Sequence, residues 1–192
     1  AHYDIGNELY TRFLDPEMMY SSAIYPHENA TLDEAQIHKL STICQRLSLC
    51  EDDHLLEIGT GWGGLAIYAA QNYGSRVTTT TISDEQYNYA KSRINELGLQ
   101  DKITLLKKDY RDLTGSFDKV VSIEMIEAVG FEFLPSFFKQ CNDRLKEGGK
   151  LLIQSITIAD QRFNHYKKNV DFIQRYIFPG GFLPSVNVLS QN

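Results

Sequence analysis

An α/β fold, with a parallel sheet of five strands covered by helices, is predicted by three features of the sequence. Short apolar or β-branched runs alternate with helix-period stretches over most of the chain. A glycine-rich loop follows the first such run and opens a helix. The 192 residues contain no internal repeat, low-complexity tract or linker, which fits one domain.

The elements follow in order. Residues 1–30 are aromatic-rich and broken by Gly6, Pro16 and Pro26, and read as short helices and loops that lid the core. Thr31-Leu-Asp-Glu34 is a capping box, and Leu32, Ala35, Leu40, Ile43, Cys44 and Leu47 then share a helical face. His54–Ile58 is the first strand and Gly64–Tyr73 the helix after it. Arg76–Ile82 is β-branched; Ser83-Asp-Glu-Gln86 is a second capping box, and Gly98 marks that helix's end. Ile103–Lys107 and Asp118–Ile123 are further strands. Phe133–Lys146 is a helix with Pro135 in its first turn, and Gly148-Gly149 turns into the fifth strand, Lys150–Thr157. Over Phe163–Ile177 one helical face carries Phe163, Tyr166, Val170, Ile173 and Ile177, before the broken segment Phe178–Pro184. The chain thus divides into a lid segment (1–30), a sheet core (31–160) and the start of a C-terminal region (161–192).

Composition excludes several classes. Lys+Arg 19 against Asp+Glu 25 gives a charge of -6, which argues against a nucleic-acid binder. A hydrophobic share of 42% is enough for a packed core. No apolar run approaches the roughly 20 residues of a membrane span, and AHYDIGNELY has neither the basic nor the apolar region of a signal peptide. Cys44, Cys50 and Cys141 form no CxxC pair, which disfavours a disulfide framework or a metal site, and each reads as a small buried hydrophobe in a reducing compartment.

The strongest motif is Leu55-Leu-Glu-Ile-Gly-Thr-Gly-Trp-Gly-Gly64. Glycines there let the turn tighten and a ligand approach the backbone beside the positive end of a helix. Gly59, Gly61 and Gly64 also fit a dinucleotide fingerprint, but that site needs an acid at the end of the second strand. Thr78-Thr-Thr-Thr-Ile-Ser83 offers none. Glu57 gives instead the E-x-G-x-G form that looks like motif I of the class I methyltransferases. An acid there balances the amino-acid end or the sulfonium of S-adenosylmethionine, and Asp109 stands where these enzymes commonly contact the adenine amino group.

A narrower resemblance rests on His2-Tyr-Asp-Ile-Gly-Asn7, Leu14-Asp-Pro16, Tyr20-Ser-Ser-Ala23, Glu57–Gly64, Thr81-Ile-Ser83, Asp109-Tyr-Arg-Asp112, Ser122–Gly130 and Tyr176–Ser185. In these pieces the chain resembles the cyclopropane fatty acid synthase family, including the mycolic acid cyclopropane synthases. The resemblance implies a Rossmann-like class I fold and methyl transfer from S-adenosylmethionine to the double bond of an unsaturated phospholipid acyl chain, giving a cyclopropane (methylene-bridged) chain. Carried over by position, Tyr20 and Ser21 would hold the methionine end of the cofactor, with Gly59, Gly61 and Trp62 flanking it. Thr81 and Gln86 would hold the ribose, and Tyr110 would lie against the adenine.

An alkene is a poor nucleophile, so it must be held in line with an electrophilic methyl, and the resulting carbocation needs a dry pocket and a base. In the family that base is a bound bicarbonate. The resemblance assigns its binding to Glu127, the fifth-strand position Gln154, Ser22 and backbone groups such as that of Ile156. Two of these depart from the family pattern: Ser22 replaces a Cys and Gln154 a His. Glu124 is an extra carboxylate where the family usually has glycine. These departures leave open a methyl-branched lipid product, a small soluble acceptor, or a cofactor-binding domain without catalysis. A helix N-terminal acid is the bland reading of Glu127, and His27, His38 and His54 read as surface or satisfied polar residues.

The lipid implies an apolar tunnel, with Tyr3, Leu9, Tyr10, Phe13, Met18 and Met19 as its lid and Tyr176–Phe182 as lining. Arg162, His165, Lys167, Lys168 and Arg175 form a basic patch beside apolar rings, suited to peripheral contact with anionic headgroups from the cytoplasmic side. An ordinary amphipathic helix is the alternative there. Class I sheets usually end in two further strands, and the family in a stretch that gives a tyrosine to the anion site. Nothing after Ser185 reads as either, so the expectation is part of a longer enzyme, with an open sheet edge that favours association.

Overall fold

The computed structural model describes residues 7–192, with the side chain of Asn7 outside the description. Tyr3 and the motif His2–Gly6 therefore lie outside the described residues. A short helix α1 (Asn7–Tyr10) and loops lead to α2 (Leu32–Leu47). There follow β1 (His54–Ile58), α3 (Gly64–Tyr73), β2 (Arg76–Thr81), α4 (Asp84–Glu96), β3 (Ile103–Lys107) and β4 (Phe117–Ile123). Then come α5 (Leu134–Arg144), β5 (Leu145–Gln154), α6 (Asp160–Tyr166), a π-helical turn (Ile173–Ile177) and α7 (Val186–Ser190).

The five strands form one parallel sheet in the order β3-β2-β1-β4-β5. Alternation along β1 sends Leu55 into one core, with α2, α3 and Ile94 of α4, and Leu56 and Ile58 into the other, with Phe137 and Cys141 of α5. Both faces are covered, as all-parallel pairing demands. The strand order reverses at β1, so the loops after β1 and β4 flank the crevice where open α/β sheets bind ligands.

Local chemistry sets the helix ends. Thr31 Oγ1 accepts from the Glu34 N–H, and the Glu34 carboxylate accepts from the Thr31 N–H, completing the box that starts α2. Only half of the second box forms: Ser83 accepts from the Gln86 N–H, but the Gln86 side chain turns to Thr81. Leu32, expected on the buried face of α2, is 37% exposed because it sits in the first turn, outside the packed stripe. Cys44 and Cys141 are buried, whereas Cys50 is exposed.

Several boundaries shift by a residue or two; β5 also ends early, at Gln154, and two larger differences have a visible cause. β5 begins at Leu145, not Lys150, because Phe117 pairs with Leu145 and Lys119 with Lys150, and the extra residues form a bulge. Gly149 permits it: a Cβ there would lie 2.9 Å from the Lys146 carbonyl oxygen. The expected long helix over Phe163–Ile177 is two pieces. Asn169 Nδ2 donates to the His165 carbonyl at 2.7 Å, and Asp171 Oδ1 accepts from the Gln174 N–H at 2.8 Å. These side chains end one turn and start another, which uncouples the apolar face. Phe163 is buried, but Val170 and Tyr176 lie on the surface. Among the described residues no helix is long and apolar enough to cross a membrane.

Candidate active site

The loop after β1 uses left-handed backbone at Gly59 (φ +100°), Gly61 (+54°) and Gly63 (+94°). The Gly59 and Thr60 N–H groups donate to the Thr80 carbonyl, tying the loop to the end of β2. A Cβ at Gly61 would meet no atom within 4 Å, so this glycine faces open space. One at Gly64 would lie 2.6 Å from both the Glu17 carbonyl oxygen and Met19 Sδ. Gly64 therefore serves packing of the N-terminal segment, while Gly61 keeps clear the room a ligand would use.

Polar groups line this crevice. Glu57 is buried at the end of β1, accepts from Thr79 Oγ1 at 2.6 Å, and burial pushes its carboxyl up to about 8. A cationic ligand group nearby would restore its charge. Thr81 Oγ1 donates to Gln86 Oε1 at 2.9 Å, so the two residues expected at a ribose stand together, both buried. Asp109 forms a bidentate pair with its neighbour Arg111, at 2.9 and 2.7 Å, which holds its carboxyl below the usual range. Tyr110 packs edge-on against Phe137, with ring centres 5.5 Å apart.

The N-terminal segment is clamped over the loop. Asp15 is buried, accepts from the N–H groups of Glu17 and Met19, and fixes a turn in which Met18 takes φ +55°. From α2, Gln36 Nε2 donates to the carbonyls of Met19 and Ser21, and Lys39 Nζ donates to Ser21 Oγ at 2.8 Å. Lys39 is wholly buried, and burial pulls its ammonium down to about 8 against the attraction of Glu124 and Asp15. Trp62 and Tyr10 are buried with ring centres 4.7 Å apart, and the Tyr20 ring meets both edge-on. Of the expected lid, Tyr10 and Met18 are thus core residues; Leu9 and Phe13 are exposed.

The segment after β4 carries two carboxylates. Ser122 Oγ donates to the Ile58 carbonyl, and Met125 Cγ would lie 3.3 Å from a Cβ at Gly59, so this segment packs on the glycine loop. Glu127 Oε1 accepts from the Ile156 N–H at 2.6 Å. Its Oε2 is buried without a hydrogen-bond partner among the described residues, and burial raises the carboxyl above the usual range. Glu124 sits at φ +47°, a conformation costing a non-glycine residue about 1–2 kcal/mol. Its Oε1 accepts from the Ser22 N–H (3.0 Å), Ser22 Oγ (2.7 Å) and Gln154 Nε2 (2.9 Å). Ser22 and Gln154, expected to hold a bicarbonate, already bind a carboxylate of the chain itself.

Sequence reasoning missed Lys39 and Gln36. A Lys and a Gln within an otherwise apolar helical stripe were the available signal. His54 is satisfied, with Nε2 2.9 Å from Thr78 Oγ1.

A five-stranded parallel sheet with this glycine loop after β1 and a polar pair joining the end of β2 to the start of α4 defines a Rossmann-like class I methyltransferase fold. The chain belongs to the family described as mycolic acid cyclopropane synthetase, whose match covers residues 1–192. It is 43% identical to the cyclopropane-fatty-acyl-phospholipid synthase of Escherichia coli K12, covering 100% of this chain and 48% of that protein. It is 40% identical to a probable fatty acid methyltransferase of Pseudomonas putida, covering 98% of this chain and 49% of that protein. The solved mycolic acid cyclopropane synthase CmaA1, complexed with SAH and CTAB, superposes with a TM-score of 0.89 at 28% identity. That match covers 99% of this chain and 70% of CmaA1. The chain spans about half the length of these two curated relatives.

Proposed function

We propose that this chain forms the cofactor-binding and catalytic part of an S-adenosylmethionine-dependent methyltransferase acting on the double bond of an unsaturated phospholipid acyl chain. The observation that carries the reading is the contact of Met125 with Gly59. It supports a reading in which cofactor and proton acceptor share one crevice, between the glycine loop and the segment of Glu124 and Glu127. The relatives named for phospholipid cyclopropanation and fatty acid methylation support a lipid substrate, as does the bound CTAB, an amphiphile, in CmaA1.

The residues present fit the cofactor. Gly59, Gly61 and Trp62 would flank it, Tyr20 and Ser21 would hold its methionine end, Glu57 would balance the ammonium or sulfonium there, and Thr81 with Gln86 would hold its ribose. Asp109 and Tyr110 would take the adenine side. When bound, S-adenosylmethionine supplies an electrophilic methyl group. The chain's part is to exclude water through the Tyr10–Trp62–Tyr20 cluster, to orient the acyl chain, and to accept a proton at a carboxylate. Ser22 and Gln154, already bonded to Glu124, do not fit a separate bicarbonate. A cyclopropane follows when the proton leaves the added methyl; a methyl-branched chain needs a different fate for it.

The exposed apolar residues Phe172, Ile173 and Tyr176, with the Arg175 guanidinium over the Tyr176 ring, support peripheral contact with an anionic membrane face. The test of the function is transfer of labelled methyl from S-adenosylmethionine to vesicles of unsaturated phospholipid by the full-length gene product. Incorporation with a mass gain of one methylene supports it; absence of label with cofactor binding intact overturns it.

A further inference from the structure

We infer that Glu124 is a built-in proton acceptor that fills the anion position of this site, in place of a bound bicarbonate. The inference rests on the lipid-methylation reading for its chemistry, but not for its geometry. Three donors converge on Oε1: the Ser22 N–H, the Ser22 hydroxyl and the Gln154 amide. They come from residues 102 and 30 positions away, so tertiary structure assembles the nest around this carboxylate. Gln154 Nε2 also lies 3.2 Å from the Ser22 carbonyl oxygen and from Ser22 Oγ, which fixes the amide that approaches Glu124. The Glu124 N–H donates to the Gln154 carbonyl at 2.8 Å.

All the side-chain hydrogen bonds fall on Oε1, leaving Oε2 with none among the described residues. A carboxylate anchored by one oxygen and open at the other is arranged to take a proton. Its backbone is held in the left-handed region, where glycine is favoured, so the side chain is retained against a conformational cost. The other titratable groups are placed differently. Glu127 is likewise held through Oε1, by the Ile156 N–H, but its free Oε2 is buried, and Lys39 is committed to Ser21.

The step balances as follows. The alkene's π pair forms a C–C bond to the transferred methyl as the methyl–sulfur bond breaks, its pair remaining on sulfur. The carbocation loses one proton from the added methyl to Glu124 Oε2, and the released C–H pair closes the three-membered ring. The neutral carboxyl then returns its proton to water.

The experiment compares the full-length protein with Glu124→Gly and Glu124→Gln, each checked for folding and for S-adenosylmethionine binding. Glycine suits the backbone at 124, so that variant should fold. In a titration with ¹³C-bicarbonate followed by NMR, the native protein should show no saturable binding and Glu124→Gly should gain it. In carbon-dioxide-depleted buffer, native methyl transfer should be unaffected by added bicarbonate. Both variants should lose about 100-fold in turnover, and bicarbonate should rescue only Glu124→Gly. Saturable bicarbonate binding by the native protein, or native turnover in Glu124→Gln, would overturn the inference. If the native protein methylates no unsaturated lipid, the proposed function fails, and the NMR titration alone decides whether Glu124 fills the anion position.

Discussion

Lys39 Nζ, wholly buried on α2, donates to Ser21 Oγ across 2.8 Å and so holds the N-terminal segment that packs on the glycine loop. Its folded pKa of about 8 lies below the 10.5 of a free lysine. Between those values the unfolded chain binds a proton that the folded protein has released, so folding stability rises with pH across this window. Relative to Lys39→Met, whose 39 position does not titrate, the native protein should gain up to about 3 kcal/mol from pH 8 to 10.5. Urea unfolding of both proteins across that range checks it; parallel curves would show that Lys39 is not depressed.

Glu57 gives the opposite slope. Burial raises its folded pKa to about 8 from 4.5, so the folded apo-protein holds a proton the unfolded chain has lost. Its contribution is full below 4.5 and is lost as pH rises towards 8. Glu57→Gln should flatten this part of the stability profile and weaken S-adenosylmethionine binding about tenfold, by loss of a charge-assisted contact. Unfolding against pH, with calorimetry of binding at pH 7, tests both halves.

Gly61 and Gly64 should separate binding from packing. Gly61→Val places a branched side chain in open space at φ +54°, and should abolish cofactor binding while costing only about 1–2 kcal/mol of stability. Gly64→Ala drives a Cβ to 2.6 Å from the Glu17 carbonyl oxygen, and should destabilise the protein more than it changes the affinity of the folded fraction. Thermal melts with and without S-adenosylmethionine distinguish the two patterns.

Thr81→Val and Gln86→Ala should each weaken cofactor binding roughly tenfold, and together by less than the product, because their side chains form one hydrogen-bonded unit. A calorimetric double-mutant cycle reads the coupling; strict additivity would mean that they do not act jointly on the ribose.

Glu127→Gln should leave cofactor affinity largely intact and slow methyl transfer, since an amide oxygen can still accept from the Ile156 N–H but the buried carboxylate is gone. If the change merely unfolds the protein, Glu127 is a structural cap and no more.

The sheet was legible because its strands are short apolar or β-branched runs, the first of them ended by Gly59, whose positive φ turns the chain. β1, α3 and β3 fall where the hydrophobic pattern places them. The start of β5 was not legible, because pairing with β4 fixes the bulge and Gly148-Gly149 alone reads as a turn. The broken helix after Tyr166 escaped a reading of apolar period because Asn169 and Asp171 compete through hydrogen bonds. At the candidate site, the resemblance named Thr81 and Gln86 together, and their side chains share a hydrogen bond. What Glu124 binds depended on bringing together residues 22, 124 and 154, and sequence spacing carries no trace of that.

The left-handed backbone at Glu124 also bears on how such a site can change over time. Glutamate and glycine codons differ by a single base, and the glycine form is the one this backbone prefers. One point mutation would therefore ease the chain and remove its carboxylate together, leaving the nest of Ser22 and Gln154 open to an anion drawn from solution. An internal base and a borrowed one lie one mutational step apart on the same scaffold, with no unstable intermediate between them.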